Sequence, residues 1–337
     1  MINTIRLVQL FHPTYGRSIA QVQEPDLVFL KGFGSIYELA LAALVSGNKL
    51  SRLISEAATD EKLVYDSVYE GNSEWKLLPS FDHPESPFHC MVSGTGLTHH
   101  NSALNRQIMH GDQEEKPTDS LKMYEMGVNG GNPSLGEIGV QPEWFYKGNG
   151  GVLKAHGEIL TVPYFGEDGG EEPEIAGAYI IDREGKPWRI GFTTGNEFSD
   201  HVMEKINYLY LAPSKIRTCS IGPELVIDAD FDSYSGEVQI SRNGLPIWKS
   251  EINTGQKNMC HNLANLEFHH FKYDSHRIPL QAHVHFFGAD AFSFGNKIIL
   301  EDGDKMSVEW KGMGRALFNY LKVAKGKPYE FPEVGEL

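Results

Sequence analysis

The sequence predicts an α+β fold, mainly β, and three observations carry that prediction. After a proline-punctuated joint at Ser80-Phe81-Asp82-His83-Pro84-Glu85-Ser86-Pro87, strand-like runs dominate, at 151–165, 174–195, 223–230, 236–251, 281–288, 296–300 and 305–310. Glycines and Asn/Asp turns separate these runs, as in a β-rich sandwich or barrel-like roll. The first 80 residues read differently. Ile5–Leu10 and Ser18–Val22 have the character of short strands, and Ser35 to Ser46 is apolar at helical spacing with Ser35 as its cap. Residues 1–80 therefore form a small N-terminal α/β domain, and the larger unit begins near residue 85. Residues 101–140 are polar and glycine-bearing, with little strand character, and suit either a mobile segment over a site or a long surface connection.

Composition sets the outer limits. At 337 residues the chain has room for two domains or one large β-rich one, and 40% hydrophobic residues support a substantial core. A formal net charge of −15 argues against nucleic acid and anionic membranes as partners, because both need basic surface. Cys90, Cys219 and Cys260 are few, odd in number and far apart, which excludes a disulfide scaffold. Met1-Ile2-Asn3-Thr4-Ile5-Arg6 lacks the apolar core of a signal peptide, and no apolar run reaches the ~20 residues of a membrane helix. A cytoplasmic protein is expected.

Three glutamates can converge. Glu172 and Glu174 lie two apart in Glu172-Pro173-Glu174, so on a strand they share a face. Asp182-Arg183-Glu184-Gly185-Lys186-Pro187 is turn chemistry, and Trp188 to Thr194 reads as a returning strand. A pivot between Glu184 and Gly185 makes paired numbers sum to 369 and sets Glu172 opposite Glu197. Three clustered carboxylates repel unless a cation sits among them, and all-oxygen ligation favours Mg2+, then Ca2+ or Mn2+. The alternative is three solvated acidic residues in an acid-rich chain.

Other candidates carry a weaker signal. Of His99-His100, after a glycine turn, one ring can face a site. His283-Val284-His285 puts two imidazoles on one strand face, but Phe286-Phe287-Gly288-Ala289-Asp290 lacks the glutamate that a histidine-based metal site of that kind wants. His269-His270, between Phe268 and Phe271, reads as packing. Lys147 ends an aromatic strand beside glycines, where it can reach a carboxylate or lie at the surface.

The order of these pieces resembles the fumarylacetoacetate hydrolase superfamily. The carriers are Gly94-Thr95-Gly96-Leu97-Thr98-His99-His100, Phe145-Tyr146-Lys147, Glu172-Pro173-Glu174-Ile175-Ala176, Gly191 to Ser199 and Ile221-Gly222-Pro223-Glu224-Leu225. The resemblance is nearest to the bacterial branch that dehydrates 2-keto-3-deoxy sugar acids, through Gln141 to Gly148, Gly169 to Gly177, Gly195 to Val202, Asn265 to Tyr273 and His283 to Gly288. It covers residues 85–325 and implies a mixed β-sandwich roll around one divalent metal, usually Mg2+, in a homodimer. Glu172, Glu174 and Glu197 match the ligands, with Glu197 where aspartate is commoner. Lys147 and His100 match catalytic positions; Leu97 stands where hydrolytic members carry a tyrosine. Lys215 matches a second pocket lysine, and Gly288 and Ala289 stand in the substrate loop.

The resemblance implies a 2-oxo acid substrate and chemistry through a metal-stabilised enolate. Three functions follow. The first is a Mg2+-dependent lyase dehydrating a 2-keto-3-deoxy sugar acid such as 2-keto-3-deoxyarabonate. The second is a hydrolase cleaving a C–C bond in 2,4-diketo acids or acylpyruvates, with His100 activating water. The third is a non-catalytic sugar-acid-binding protein.

Overall fold

The computed structural model describes residues 4–110, 118–324 and 332–337. The chain opens with β1 (Ile5–His12), β2 (Gly16–Gln23), β3 (Asp26–Leu30), α1 (Ile36–Ser46), α2 (Leu50–Ala57), β4 (Ala58–Val64), α3 (Tyr65–Tyr69) and β5 (Lys76–Leu77). After the proline joint come β6 (Cys90–Gly94), α4 (His100–His110), α5 (Asp119–Gly130), β7 (Phe145–Asn149), β8 (Leu153–Lys154) and β9 (Ile159–Val162). The hairpin β10 (Pro173–Ile181) and β11 (Pro187–Asn196) is followed by α6 (His201–Ile206), α7 (Leu211–Lys215) and β12 (Cys219–Ile227). The chain continues through β13 (Tyr234–Arg242), β14 (Leu245–Thr254), α8 (Leu263–Phe271), β15 (Ala282–Phe286), β16 (Lys305–Trp310) and β17 (Leu317–Val323).

Two sheets result. The larger runs β4-β3-β2-β1-β12-β11-β10-β15-β6-β7, with β5 on β1 and β8 on β12; the smaller runs β14-β13-β16-β17-β9. The N-terminal strands extend the larger sheet, because β1 pairs antiparallel with β12 at Leu7↔Leu225. β10 lies centrally and all nine of its residues are buried. Its alternate residues enter two cores. Ile175, Tyr179 and Ile181 pack with Val238, Ile252 and Trp310 between the sheets, whereas Ala176, Ala178 and Ile180 join Leu39 and Ala40 of α1 on the other face. A strand covered on both faces reads as a continuous apolar run, as 175–181 does.

The mainly β architecture and the Ser35 cap are as expected. Ser35 and Glu38 form a reciprocal capping box at the start of α1. One expectation fails. The run at 296–300 is not a strand: Ser293–Asn296 makes a tight 3-10 turn and Lys297 sits at φ 61, a left-handed conformation that breaks extended backbone. The described part of residues 101–140 has no strand, as expected, and carries two helices, α4 and α5, the latter started by the Thr118 side chain accepting from Leu121 N–H. Residues 111–117 of that stretch lie outside the described ones. Strand β17 gave no signal recognised in the sequence.

The imidazoles of β15 are structural. His285 lies 2.9 Å from both Ser93 Oγ and Thr95 Oγ1, and stacks on His270 with ring centroids 4.3 Å apart. Burial, then neighbouring imidazoles, pushes His283 and His285 down to about 3, so both are neutral in the fold. A folded pKa below the unfolded ~6.5 means that the stabilisation is complete above about pH 6.5 and is lost as pH falls toward 3. Chemical denaturation at pH 7, 5.5 and 4.5 should show unfolding free energy falling with acidification. In His285→Asn the fall should be shallower, by up to about 1.4 kcal/mol per pH unit; equal slopes in the two proteins would show that His285 titrates normally.

Candidate metal centre

The β10–β11 hairpin assembles the carboxylates. Its register follows the expected sum of 369 from Pro173↔Asn196 through Ala178↔Gly191. Nearer the turn, from Tyr179↔Arg189 to Ile181↔Pro187, the numbers sum to 368, and a β-bulge at Ala178/Tyr179 restores the register. The expected pivot is therefore displaced at the turn and right at the site. Beyond the paired residues, Glu197 N–H donates to Glu172 O at 2.9 Å, so the two face one another. Each of Glu172, Glu174 and Glu197 offers an oxygen within 4.8 Å of the others'. All three are buried, at 5%, 1% and 0% exposure, which excludes the reading of solvated acidic residues.

Two lysines enter the same pocket. Lys215, at the end of α7, places Nζ 2.6 Å from Glu172 Oε1, 2.7 Å from Glu197 Oε2, 2.9 Å from Ser199 Oγ and 3.2 Å from Glu204 Oε1. Lys147, on β7, lies 2.6 Å from Glu197 Oε1 and donates to Phe198 O at 2.5 Å. Their protonation differs. Burial works against the Lys215 charge, but Glu172, Glu197 and Glu204 together hold its pKa above the ordinary lysine value. For Lys147 burial wins and Glu197 offsets it only in part, so its pKa falls.

The carboxylates divide in the same way. Burial raises Glu172, but Lys215 and His201 outweigh it and keep Glu172 well below its usual range. Burial pushes Glu197 up to about 7 against the pull of Lys147 and Lys215. Lys215–Glu172 is thus a charged pair, while Lys147 and Glu197 both lean toward their neutral forms. Glu174 is the outlier. Burial, then repulsion from Glu197 and Glu172, raises it well above its usual range, against a 2.6 Å bond from Gly288 N–H and more distant Lys215. A cation among the three carboxylates is what Glu174 needs to ionise, and the all-oxygen donor set suits a hard divalent ion.

The other expected residues fall into place unevenly. Gly288 touches the centre through the bond to Glu174, and its φ of 101 and the Thr98 Oγ1, 2.1 Å from where a Cβ would sit, leave no room for another residue. Ala289 follows it, buried. His100 is exposed at the first position of α4, with its ring 5.6 Å from Tyr124, and no described contact joins it to the carboxylates. His99 is the buried one of the pair, 3.1 Å from Thr254 Oγ1.

Sequence reasoning missed a second ring of residues. Asp200 caps α6, which carries His201 and Glu204 three apart on one face. His201 Nε2 lies 3.0 Å from Glu172 Oε1. The Ser199-Asp200-His201-x-x-Glu204 spacing was the available signal. Arg106 of α4 bridges Glu143 and Glu204 at 3.3 Å each, and Tyr208 donates to Glu143 Oε1 at 2.9 Å. Glu171, beside Glu172, accepts from Ser293 N–H and Oγ–H, which ties the loop after β15 to the start of β10.

The fold and this pocket define a class: a two-sheet β roll whose central hairpin brings together three buried carboxylates that could hold a metal ion. No family model matches the sequence. A probable 2-keto-3-deoxyxylonate dehydratase of Haloferax volcanii is 26% identical over 232 residues, 67% of this chain and 68% of that protein. Among solved structures, 2-keto-3-deoxyarabinonate dehydratase superposes with a TM-score of 0.69 at 19% identity, covering 95% of this chain and 100% of that one. The 2-keto-3-deoxy-D-arabinonate dehydratase solved with magnesium and 2,5-dioxopentanoate gives 0.68 at 18% identity over the same shares. A 2-hydroxyhepta-2,4-diene-1,7-dioate isomerase from Mycobacterium marinum gives 0.57 at 16% identity, over 96% of this chain and 100% of that one. The resemblance to the fumarylacetoacetate hydrolase superfamily, on its dehydratase branch, is borne out.

Glu174→Ala should abolish divalent-metal binding with the fold retained. Calorimetric Mg2+ titration checks it, and unchanged affinity in the variant would refute Glu174 as a ligand.

Proposed function

We propose that the protein is a divalent-metal-dependent hydro-lyase that dehydrates a 2-keto-3-deoxy sugar acid such as 2-keto-3-deoxyarabonate, with Mg2+ as its metal and residues 85–325 as its catalytic unit. The observation that carries this reading is the buried Glu172, Glu174 and Glu197 triad met by Lys147 and Lys215, in a fold shared with sugar-acid dehydratases. A non-catalytic binder has no need of two fully buried lysines against ligating carboxylates, because buried charge is costly.

A divalent ion held by the three glutamates would supply Lewis-acid polarisation of the 2-oxo acid. The chain's own groups do the rest. Lys215, kept charged by its carboxylates, stabilises negative charge developing at the 2-oxo oxygen. Lys147, its pKa lowered by burial, takes the C3 proton at Nζ. The Lys147–Glu197 pair then returns that proton to the departing C4 hydroxyl, which leaves as water. Burial of the centre excludes bulk water during this exchange. The geometry does not favour C–C hydrolysis, which requires His100 to activate water, since His100 is exposed and apart from the carboxylates.

Purified protein with Mg2+ should convert a 2-keto-3-deoxypentonate and leave an acylpyruvate intact, as followed by NMR. The opposite preference would overturn the dehydratase reading. Lys147→Met should abolish turnover with metal binding retained; His100→Asn should lose much less than the roughly 10²–10⁴-fold expected on removing a general base. Steady-state kinetics of the two variants on the preferred substrate checks both.

Because the carboxylates are at most 5% exposed, entry of a substrate requires the elements around them to move. Amide exchange in α4, which carries Arg106 to the site, should slow when Mg2+ and oxalate are bound. Exchange unaffected by the pair would show that α4 takes no part in closure.

A further inference from the structure

The first 80 residues meet the rest of the chain along a seam, where a cavity of about 500 Å³ opens. Its lining includes none of Glu172, Glu174, Glu197, Lys147 and Lys215. On one side β1, α3 and β5 supply Phe11, Tyr69 and Lys76; on the other, the turn between β8 and β9 and strand β17 supply His156, Phe318 and Tyr320. Clefts of roughly 300–1,000 Å³ where two units meet are favoured places for a small ligand. The joint here is firmly tied. Tyr69 donates its hydroxyl to Ala316 O at 2.8 Å, and His156 Nε2 lies 3.1 Å from Tyr69 O. His156 Nδ1 accepts from Phe318 N–H at 3.4 Å, so Nε2 carries the proton and donates to Tyr69.

The walls are aromatic and their charges balance. Tyr69 and Phe318 stand at 88° to one another, and Phe318 and Tyr320 at 77°. His156 packs 4.2 Å from Tyr69 and 4.1 Å from Phe318, and burial pushes its pKa down to about 4, so it adds no charge. Phe11 and Tyr320 are each 42% exposed, which turns apolar ring surface toward water. Two carboxylates, Glu70 and Glu158, are matched by two ammonium groups: Lys76 in the lining, and Lys305, which lies 3.7 Å over the Phe318 ring. Polar capacity is left over. Glu158 accepts from Ala155 N–H through Oε2 at 2.6 Å, and among the described residues nothing bonds its Oε1 or the Tyr320 hydroxyl. Lys76 donates to Gly71 O at 2.9 Å and has further N–H groups to give.

We propose that this cavity binds a neutral monosaccharide in its ring form. The site is separate from the metal centre and does not depend on the dehydratase reading above. A sugar ring has an apolar C–H face, which packs on aromatic side chains, and a rim of hydroxyls that both donate and accept. The face suits the Tyr69, Phe318 and Tyr320 walls. The hydroxyls can donate to Glu158 Oε1 and accept from Lys76, and the Tyr320 hydroxyl serves either way. Other ligand classes fit worse. An anion meets two carboxylates and a cation meets two ammonium groups, so neither gains from the balanced charges. A flat aromatic molecule covers the walls but takes the carboxylate and the ammonium out of water without bonding them, which is costly. An open-chain polyol has the hydroxyls but no fixed apolar face, and it loses more conformational freedom on binding.

The probes are methyl β-xylopyranoside and methyl β-glucopyranoside, whose rings cannot open, each paired with the polyol of the same carbon chain, xylitol or sorbitol. Indole and choline stand for aromatic and cationic ligands. Each is titrated calorimetrically into the full-length protein with Mg2+ and oxalate present, which compete for the metal centre. At least one glycoside should bind at a single site, about tenfold or more tightly than its polyol, indole or choline. Tyr320→Ala should weaken that binding roughly 10-fold. Glu158→Gln, which keeps an acceptor for Ala155 N–H, should weaken it roughly 3- to 10-fold. Both side chains are exposed, so unfolding midpoints should match the native protein's. No binding of either glycoside overturns the site, as does equal binding of the polyol or tighter binding of indole or choline. Unchanged affinity in both variants also overturns it, because the sugar would then sit elsewhere. Binding seen only without Mg2+ and oxalate overturns it too, by placing the sugar at the metal centre. The dehydratase reading stands or falls separately, on turnover of the 2-keto-3-deoxypentonate.

Discussion

Three carboxylates held within 4.8 Å of one another, away from water, are the constraint on which the rest of the structure depends. Their mutual repulsion and lost hydration must be offset inside the protein. The chain offsets part of this with Lys147 and Lys215, reinforced by His201. Among the described residues it gives the Glu174 carboxyl no cationic partner within bonding distance, and the Gly288 N–H is directed at it. The pocket is therefore arranged with unequal charge compensation, and a divalent ion fits the remainder. The two lysines are not equivalent. Lys215 is shared among Glu172, Glu197 and Glu204 and stays charged; Lys147 has one carboxylate and loses to burial.

Such a pocket needs a stiff frame, and the fold supplies one. The strand that carries Glu174 lies in the middle of the larger sheet and is covered on both faces. Trp310 of the smaller sheet donates its indole N–H to Glu174 O at 3.1 Å, so both sheets hold the Glu174 backbone. Ser293 clamps Glu171 just ahead of Glu172. The bulge in the hairpin absorbs a one-residue mismatch before it reaches the site. By contrast, Lys215 and Glu204 come from the short helices α7 and α6, and Arg106 from the longer α4. Carboxylates fixed on and beside covered strands, with charges brought in from helices, suit a centre able to hold a cation.

The sequence by itself determined the features that depend on local periodicity. The two-residue spacing of Glu172 and Glu174, the turn at Asp182–Pro187, the return to Glu197 and the cap at Ser35 are short-range patterns, and each recurs in the structure. Lys147 was legible from its strand and glycines only as one of two alternatives, a carboxylate partner or a surface lysine, and Lys215 only through resemblance. Tertiary structure alone decided the rest. It placed His99 inside and His100 outside, a choice that adjacent residues of the same type do not encode. It brought Arg106 to Glu143 across 37 residues and to Glu204 on another helix, contacts that no spacing announces. It folded 119–130 into a helix against Cys260 and His261, and packed Ile298 and Leu300 against the smaller sheet without making 296–300 a strand of it. The reason is physical: strand and helix periods report which way a side chain points along its own element, whereas the partner it meets depends on how elements distant in sequence pack together.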